Sequence, residues 1–149
     1  FDTVVVTNTE DAESTGLQGE TSTFKTINQG MRIGRLRAIF KLPQRINGFP
    51  APSTWPINAL AHVEWYDKLG TTADPDSLMY SISKATLRAD DTPPGEIIPL
   101  SAIRQSCQLI PAYGGANVQA NWTSSNVLDK AQKFWINNWA SKYSYQTLW

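Results

Sequence analysis

The pair best suited to acid–base chemistry is His62 and Glu64, two residues apart in an alternating segment that puts both side chains on one face. An imidazole oriented by a carboxylate can act as a general base where a nucleophile lies within hydrogen-bond reach. No Ser or Cys elbow motif accompanies the pair. Two polar residues on the solvent side of a strand explain it as well, so no catalytic residue is expected. Cys107 is the single cysteine and lies on the apolar side of its segment beside Ile103 and Leu109. A reactive thiolate needs positive, exposed surroundings, so Cys107 is read as a small core residue. One cysteine and one histidine cannot supply the four ligands of a structural zinc. Asp74, Asp76, Asp90 and Asp91 fall in turn segments, where acids hold the backbone. Gly34, Gly114 and Gly115 match no phosphate-binding pattern. No metal and no small-molecule cofactor are expected.

Charge and aromatic content point instead to binding. Thirteen basic and thirteen acidic residues cancel over 149 positions, so the global basic excess of a dedicated nucleic-acid binder is missing. Locally the balance is uneven. Lys25, Arg32, Arg35, Arg37, Lys41 and Arg45 follow one another with no acid between them. A strand face carrying Arg35, Arg37 and Lys41 suits phosphate contact, or it pairs with the acidic stretch just before it. Six Trp and five Tyr are a heavy load. Such rings fill cores, and they also build peptide grooves and cation cages. By strand parity Trp65 belongs to the core. The candidates for a partner-binding surface are Trp135, Trp139, Tyr143 and Tyr66. Asn121-Trp-Thr123 is a glycosylation sequon, relevant only in a secreted protein.

The elements that must carry these residues read as strands. An apolar share of 41% and a charged share of 17% suit one folded domain. No run reaches the about 18 apolar residues of a membrane span. Asp2–Val6 is a short strand, and residues 7–24, rich in Thr, Ser, Gly and acid, form a mobile acidic loop. Met31–Leu42 alternates, with Leu36, Ala38, Phe40 and Leu42 on one face, until Pro43 stops it. Residues 47–56 hold Gly48, Pro50, Pro52 and Pro56 and read as an irregular connection. Leu60–Leu69, Leu78–Lys84 and Ile103–Ile110 are further strands, and Asp90–Gly95 is a strong loop signal followed by Ile97-Ile98-Pro99-Leu100. Ser125 is placed to cap a short helix through Ala131. Residues 134–139 fit either a last strand or a continued helix, because Trp135, Trp139 and Tyr143 recur every fourth residue. Short strands separated by turn chemistry favour a small barrel or sandwich. The expectation is a single β-rich domain over 1–149.

Two resemblances narrow the field. His62-Val-Glu-Trp-Tyr66, Leu78-Met-Tyr-Ser-Ile-Ser83 and Ile97-Ile-Pro-Leu-Ser-Ala-Ile-Arg-Gln-Ser-Cys107 resemble the heart of a BAH (bromo-adjacent homology) domain. That family has Gly-Lys before its cysteine where this chain has Gln105-Ser106, and no BAH ligand site carries across. The resemblance implies a mainly β fold: a small BAH-like β-barrel with a short C-terminal helix or helical tail. A likeness spanning nearly the whole chain runs from Met31–Leu42 through Leu60–Tyr66 and Ile97–Arg104 to Trp122–Leu128. It is similar to the C-terminal region of proteins encoded by basidiomycete DNA transposons of the Plavaka and KDZ type. This implies a fungal, nuclear, transposon-derived accessory module without the nuclease core. The expected partner is a protein, either histone or nucleosome or the parent polypeptide. The alternative is DNA contact through the basic strand 32–45.

Overall fold

The computed structural model describes residues 3–7, 30–70, 72–113 and 121–140. The expected acidic loop lies outside them except for Thr7, which ends a strand, and Tyr143 lies outside them too. The fold is mainly β, with three antiparallel sheets and one short helix among the described residues.

The first sheet has five strands. β1 (Thr3–Thr7) is buried on both faces, as its Val4-Val5-Val6 run requires of a strand with neighbours on either side. β2 (Met31–Phe40) and β5 (Leu60–Trp65) pair antiparallel. β7 (Gly95–Pro99) and β8 (Ile103–Ser106) form the edges, in the order β7-β5-β2-β1-β8. Between β2 and β5 a small hairpin of β3 (Arg45–Ile46) and β4 (Phe49–Pro50) projects from the connection. The second sheet sets β10 (Lys133–Ile136) between β6 (Tyr80–Ser83) and β9 (Leu109–Pro111). The helix α1 (Val127–Lys130) is a single turn leading into β10.

Two cores follow from the two faces of the large sheet. On one face, Val5, Ile33 and Tyr66 meet Ile82, Phe134 and Ile136 of the second sheet, with Cys107 and Ala131. Phe134 is fully buried, and its ring meets Tyr66 edge-on at 5.8 Å and 81°. That geometry adds about 0.5–1.5 kcal/mol to the area term. On the other face, Val4, Val6, Ala61, Val63 and Trp65 pack with Ile98 and Ala102, joined by Ile103. Ile98 belongs to one edge strand and Ile103 to the other. The sheet therefore curls until residues from both edges share one core, and a three-residue 3-10 turn (Leu100–Ala102) carries the chain from edge to edge. No ladder joins β7 to β8 among the described residues, so strand pairing leaves the curled sheet open between these two edges.

Among the glycines with a described close contact, Gly34 marks the tightest approach, that of β2 to β5. It is buried in mid-strand, and a Cβ there would overlap Val63 Cγ1 and lie 3.1 Å from both the Glu64 carbonyl oxygen and Trp65 Cε3. Glycine inside a strand commonly marks such a close approach.

Several boundaries differ from those expected. β2 carries a bulge at Arg37: Leu36 faces Val63, but Ala38 faces His62. One extra residue reverses the parity. Ala38 and Phe40 therefore leave the Leu36 side for the His62 side. The strand expected over Ile103–Ile110 breaks at Cys107–Gln108, where the chain passes between sheets. Cys107 N donates to Thr3 O and Asn137 N donates to Gln108 O, each at 2.9 Å. Asn126 rather than Ser125 stands at the start of α1, and its Oδ1 accepts from Thr123 N at 2.8 Å. Residues 133–136 are a strand, so the four-residue recurrence of Trp135 and Trp139 reflects no helix.

Candidate functional site

A cleft of about 490 Å³ opens where β2, the end of β5, the segment 84–93 and α1 converge. Its size falls within the roughly 300–1,000 Å³ of ordinary ligand sites. Arg35 and Arg37 of β2, Glu64 and Tyr66, Lys84 and Leu87, and Leu128 and Asp129 line it. Strand pairing sets most of this arrangement. Arg35 lies directly across from Glu64, and Tyr66 N donates to Ile33 O at 3.1 Å, continuing the ladder. Tyr66 also bridges to Lys84, which brings the 84–93 segment to the cleft.

The cleft is charged, with three cations against two carboxylates, and each cation meets an oxygen. The Arg35 guanidinium donates to Asp129 Oδ1. Lys84 Nζ donates to the main-chain oxygen of the same Asp129. Arg37 Nε lies 3.3 Å from Glu64 Oε1. The hydrogen bond from Arg35 holds the Asp129 carboxyl below its ordinary range, and the same bond raises Arg35. Burial lowers the Lys84 ammonium against the opposing pull of Asp129. Burial pushes the Tyr66 phenol up to about 12, although nearby Arg35 and a side-chain hydrogen bond with Thr3 act the other way. The phenol is thus a neutral group at physiological pH. These are side chains arranged to present charge and shape, with the cations held by carboxylate or carbonyl oxygens.

Of the residues expected to bind a partner, Tyr66, Trp135 and Trp139 are described, and only Tyr66 lines the cleft. Tyr66 is 5% exposed and sits at the floor of the cleft against Phe134. Trp135 points to the opposite side of β10 from Phe134, half-buried, with Lys133 Nζ 5.7 Å from its ring centre. Trp139 is 55% exposed, and its Nε1 donates to Ser77 O at 3.3 Å. Tyr143 lies outside the described residues. Of the basic trio, Arg35 and Arg37 are engaged with Asp129 and Glu64, while Lys41 is exposed beyond the end of β2.

Other sequence candidates have structural tasks. Cys107 is buried, which pushes its thiol up to about 12 and keeps it a packing group. Trp65 is in the core, with the Arg32 guanidinium 4.0 Å from its ring centre. Asp74 Oδ1 accepts from Ser77 N and Ser77 Oγ, both at 2.8 Å, and Asp90 Oδ1 accepts from Thr92 Oγ1 at 2.6 Å. These bonds lower both carboxyls and are the turn duty expected of them. His62 and Glu64 do share a face; Glu64 turns to Arg37, and His62 leans over Gly95, whose added Cβ would come 3.1 Å from Nε2.

Sequence reasoning missed Lys84, Leu87, Leu128 and Asp129. Arg35 and Asp129 are 94 positions apart, and no local pattern marks such a pair. No family model, curated protein or solved structure matches the chain.

Proposed function

We propose that this chain is a non-catalytic recognition module of BAH-like architecture, in a nuclear protein of fungal transposon descent, that binds a protein partner. The observation that carries the reading is the cleft itself. Four separate segments converge on it, and its cations and carboxylates hold one another in place around a neutral, buried Tyr66. Preformed clefts of this kind bind without large ordering costs. The curled sheet, with its two edges consecutive in the chain, supports a BAH-like barrel as the finer architecture. The likeness of Met31–Leu42, Leu60–Tyr66 and Ile97–Arg104 to the Plavaka and KDZ proteins supports the setting. Histone or nucleosome, or another part of the parent polypeptide, is the partner class.

DNA contact through the basic strand has less support, because Arg35 and Arg37 already face carboxylates within the fold. The test is a titration of nucleosomes and of free DNA at about 50 and 200 mM salt, the interval in which phosphate contacts reveal themselves. Wild type is compared with Lys84→Glu in the cleft and with an Arg35, Arg37, Lys41→Ala triple variant. Nucleosome binding that responds little to salt and is lost in Lys84→Glu is expected. Binding of free DNA that collapses with salt and with the triple variant would replace the cleft reading with the DNA one. Binding to neither would remove the chromatin partner.

A further inference from the structure

Lys84 stands apart from the other cations of the cleft. Arg35 is held by the Asp129 carboxylate and Arg37 lies against that of Glu64, so both carboxylates lining the cleft are taken. The Lys84 ammonium donates to the main-chain oxygen of Asp129, a neutral acceptor. Among the described residues it makes no ion pair and no other side-chain hydrogen bond. An ammonium has three donors, so two remain to be used. Lys84 is half-buried. Burial lowers its ammonium, the Asp129 carboxylate draws it the other way, and Arg35 lowers it further. A cation partly withdrawn from water, with no carboxylate of its own, is a seat for an anion.

The rest of the cleft limits which anion fits. Ala85, Leu87, Pro93 and Leu128 give it an apolar side, and Leu87 is 52% exposed. The wall they belong to is held by its own hydrogen bonds. Lys84 N donates to Gln132 O and Arg88 N to Thr92 O, each at 2.9 Å. Arg88 Nη2 donates to Gly95 O at 3.0 Å, and Asp90 Oδ1 fixes the turn between them by accepting from Thr92 N at 3.1 Å. Such a wall needs little further ordering to bind. Three cations against two carboxylates leave one positive charge in excess, which a single carboxylate balances. A phosphate monoester carries about −1.5 to −2 at pH 7 and would overshoot that excess. A cationic ligand would meet only carboxylates already engaged. A nucleic-acid backbone brings charge but no apolar group to set against Leu87 and Leu128.

We propose that the cleft seats a carboxylate on Lys84, carried beside a large apolar side chain of a partner polypeptide that packs on Leu87 and Leu128. The carboxylate is that of an Asp or Glu side chain or of the chain end. This seat depends on the cleft being a partner-binding site, and it names the chemistry the site takes. The test selects two random displayed-peptide libraries on the wild-type protein, one ending in a free carboxyl group and one followed by carrier sequence. Enriched peptides are synthesised and located by the shifts they cause in the backbone amide resonances of residues 84–87 and 128–129. Those located at the cleft are expected to carry a carboxylate beside a large apolar residue. Exchanging Asp or Glu for its amide, or amidating the chain end, separates the two sources. Loss of the seated carboxylate should weaken binding about tenfold or more. Lys84→Met should weaken the carboxylate peptide by a similar factor and the amide peptide hardly at all, because the cycle isolates their contact. Lys84→Arg should retain most of the affinity. The amide exchange leaves the protein unaltered, so its answer does not depend on how the variants fold. Peptides that shift the cleft resonances but carry no acid, keep their affinity as amides, or bind more tightly with phosphoserine in place of the acid would overturn the proposal. The cleft would then remain a partner-binding site of other chemistry. If no enriched peptide shifts those resonances, the partner-binding reading of the cleft falls and the carboxylate seat falls with it.

Discussion

Replacing Gly34 with alanine tests whether close approach of β2 and β5 shapes the curled sheet. The new methyl would overlap Val63 Cγ1 and press on the Glu64 carbonyl and the Trp65 ring. None of these can easily withdraw: Val63 is fully buried, Trp65 is 8% exposed, and the carbonyl belongs to the paired strand. Overpacking a filled site costs about 1–3 kcal/mol. Stiffening the unfolded chain by Gly→Ala returns roughly 0.4–1 kcal/mol. The net expectation is a loss of about 1–2 kcal/mol, a fall in Tm of about 2–8 °C for a chain of this length.

The site that must give is identified, so the reasoning can be tested by rescue. Val63→Ala alone removes two buried methyl groups and should cost about 2 kcal/mol. In the Gly34→Ala/Val63→Ala double variant the added methyl occupies space the valine vacated. The two costs should then fall short of their sum by about 1 kcal/mol or more. Rescue is incomplete because the Glu64 oxygen and Trp65 Cε3 remain at 3.1 Å. Guanidinium unfolding followed by tryptophan fluorescence, with thermal melts by circular dichroism, measures all four corners of the cycle. A Gly34→Ala protein within about 1 °C of wild type, or additive costs in the double variant, would refute the account of the curl.

Further expectations concern titratable groups. Asp129 has a folded pKa depressed by Arg35. Its stabilising contribution is therefore present above the unfolded value of about 3.9 and is lost as pH falls through the lower folded value. Its side chain is 59% exposed, so Asp129→Asn should cost less than about 1 kcal/mol at pH 7, and should flatten the loss of stability below about pH 4 in urea midpoints measured against pH. Asp74 and Asp90 should titrate below an ordinary aspartate when followed by carbonyl carbon NMR, and Ser77→Ala should raise Asp74 only part of the way back, because it removes the Oγ bond and leaves the larger effect of the main-chain N–H of Ser77 in place. Cys107, buried with its thiol raised to about 12, should resist thiol reagents at pH 8 in the native protein and react fully in guanidinium; rapid native labelling would contradict its core position.

Where the sequence carried a local rule, the structure follows it. The Val4-Val5-Val6 run makes a strand buried on both faces, and Leu60–Trp65 alternates with Ala61, Val63 and Trp65 inward. The turn acids Asp74 and Asp90 do what their neighbours demand. What escaped reading has physical causes. The bulge at Arg37 interrupts an alternation that looks continuous in sequence, because one extra residue changes the facing without changing the residue types. The tail was ambiguous because Phe134-Trp135-Ile136 is apolar at every position, and only pairing with β6 and β9 makes it a strand. The hairpin was missed: residues 47–56 read as an irregular connection because of their prolines, although Asn47-Gly48 is a strong two-residue turn signal. The cleft was not legible, since its defining pairs come from distant parts of the chain.

The basic run from Lys25 to Arg45 shows why charge along a sequence is not charge on a surface. Read linearly, it is a row of cations that invites phosphate. The fold separates its members by giving each a different neighbour. Arg32 covers the Trp65 ring, Arg35 and Arg37 turn to Asp129 and Glu64 in the cleft, and Lys41 and Arg45 are exposed and outside any ion pair among the described residues. A phosphate approaching Arg35 would compete with a carboxylate already in place, and would have to displace it or leave it nearby at an electrostatic cost. A row of cations in the sequence is therefore not one phosphate-binding row on the surface, and low salt dependence with sensitivity to Lys84 in the cleft is the signature that tests the proposed reading.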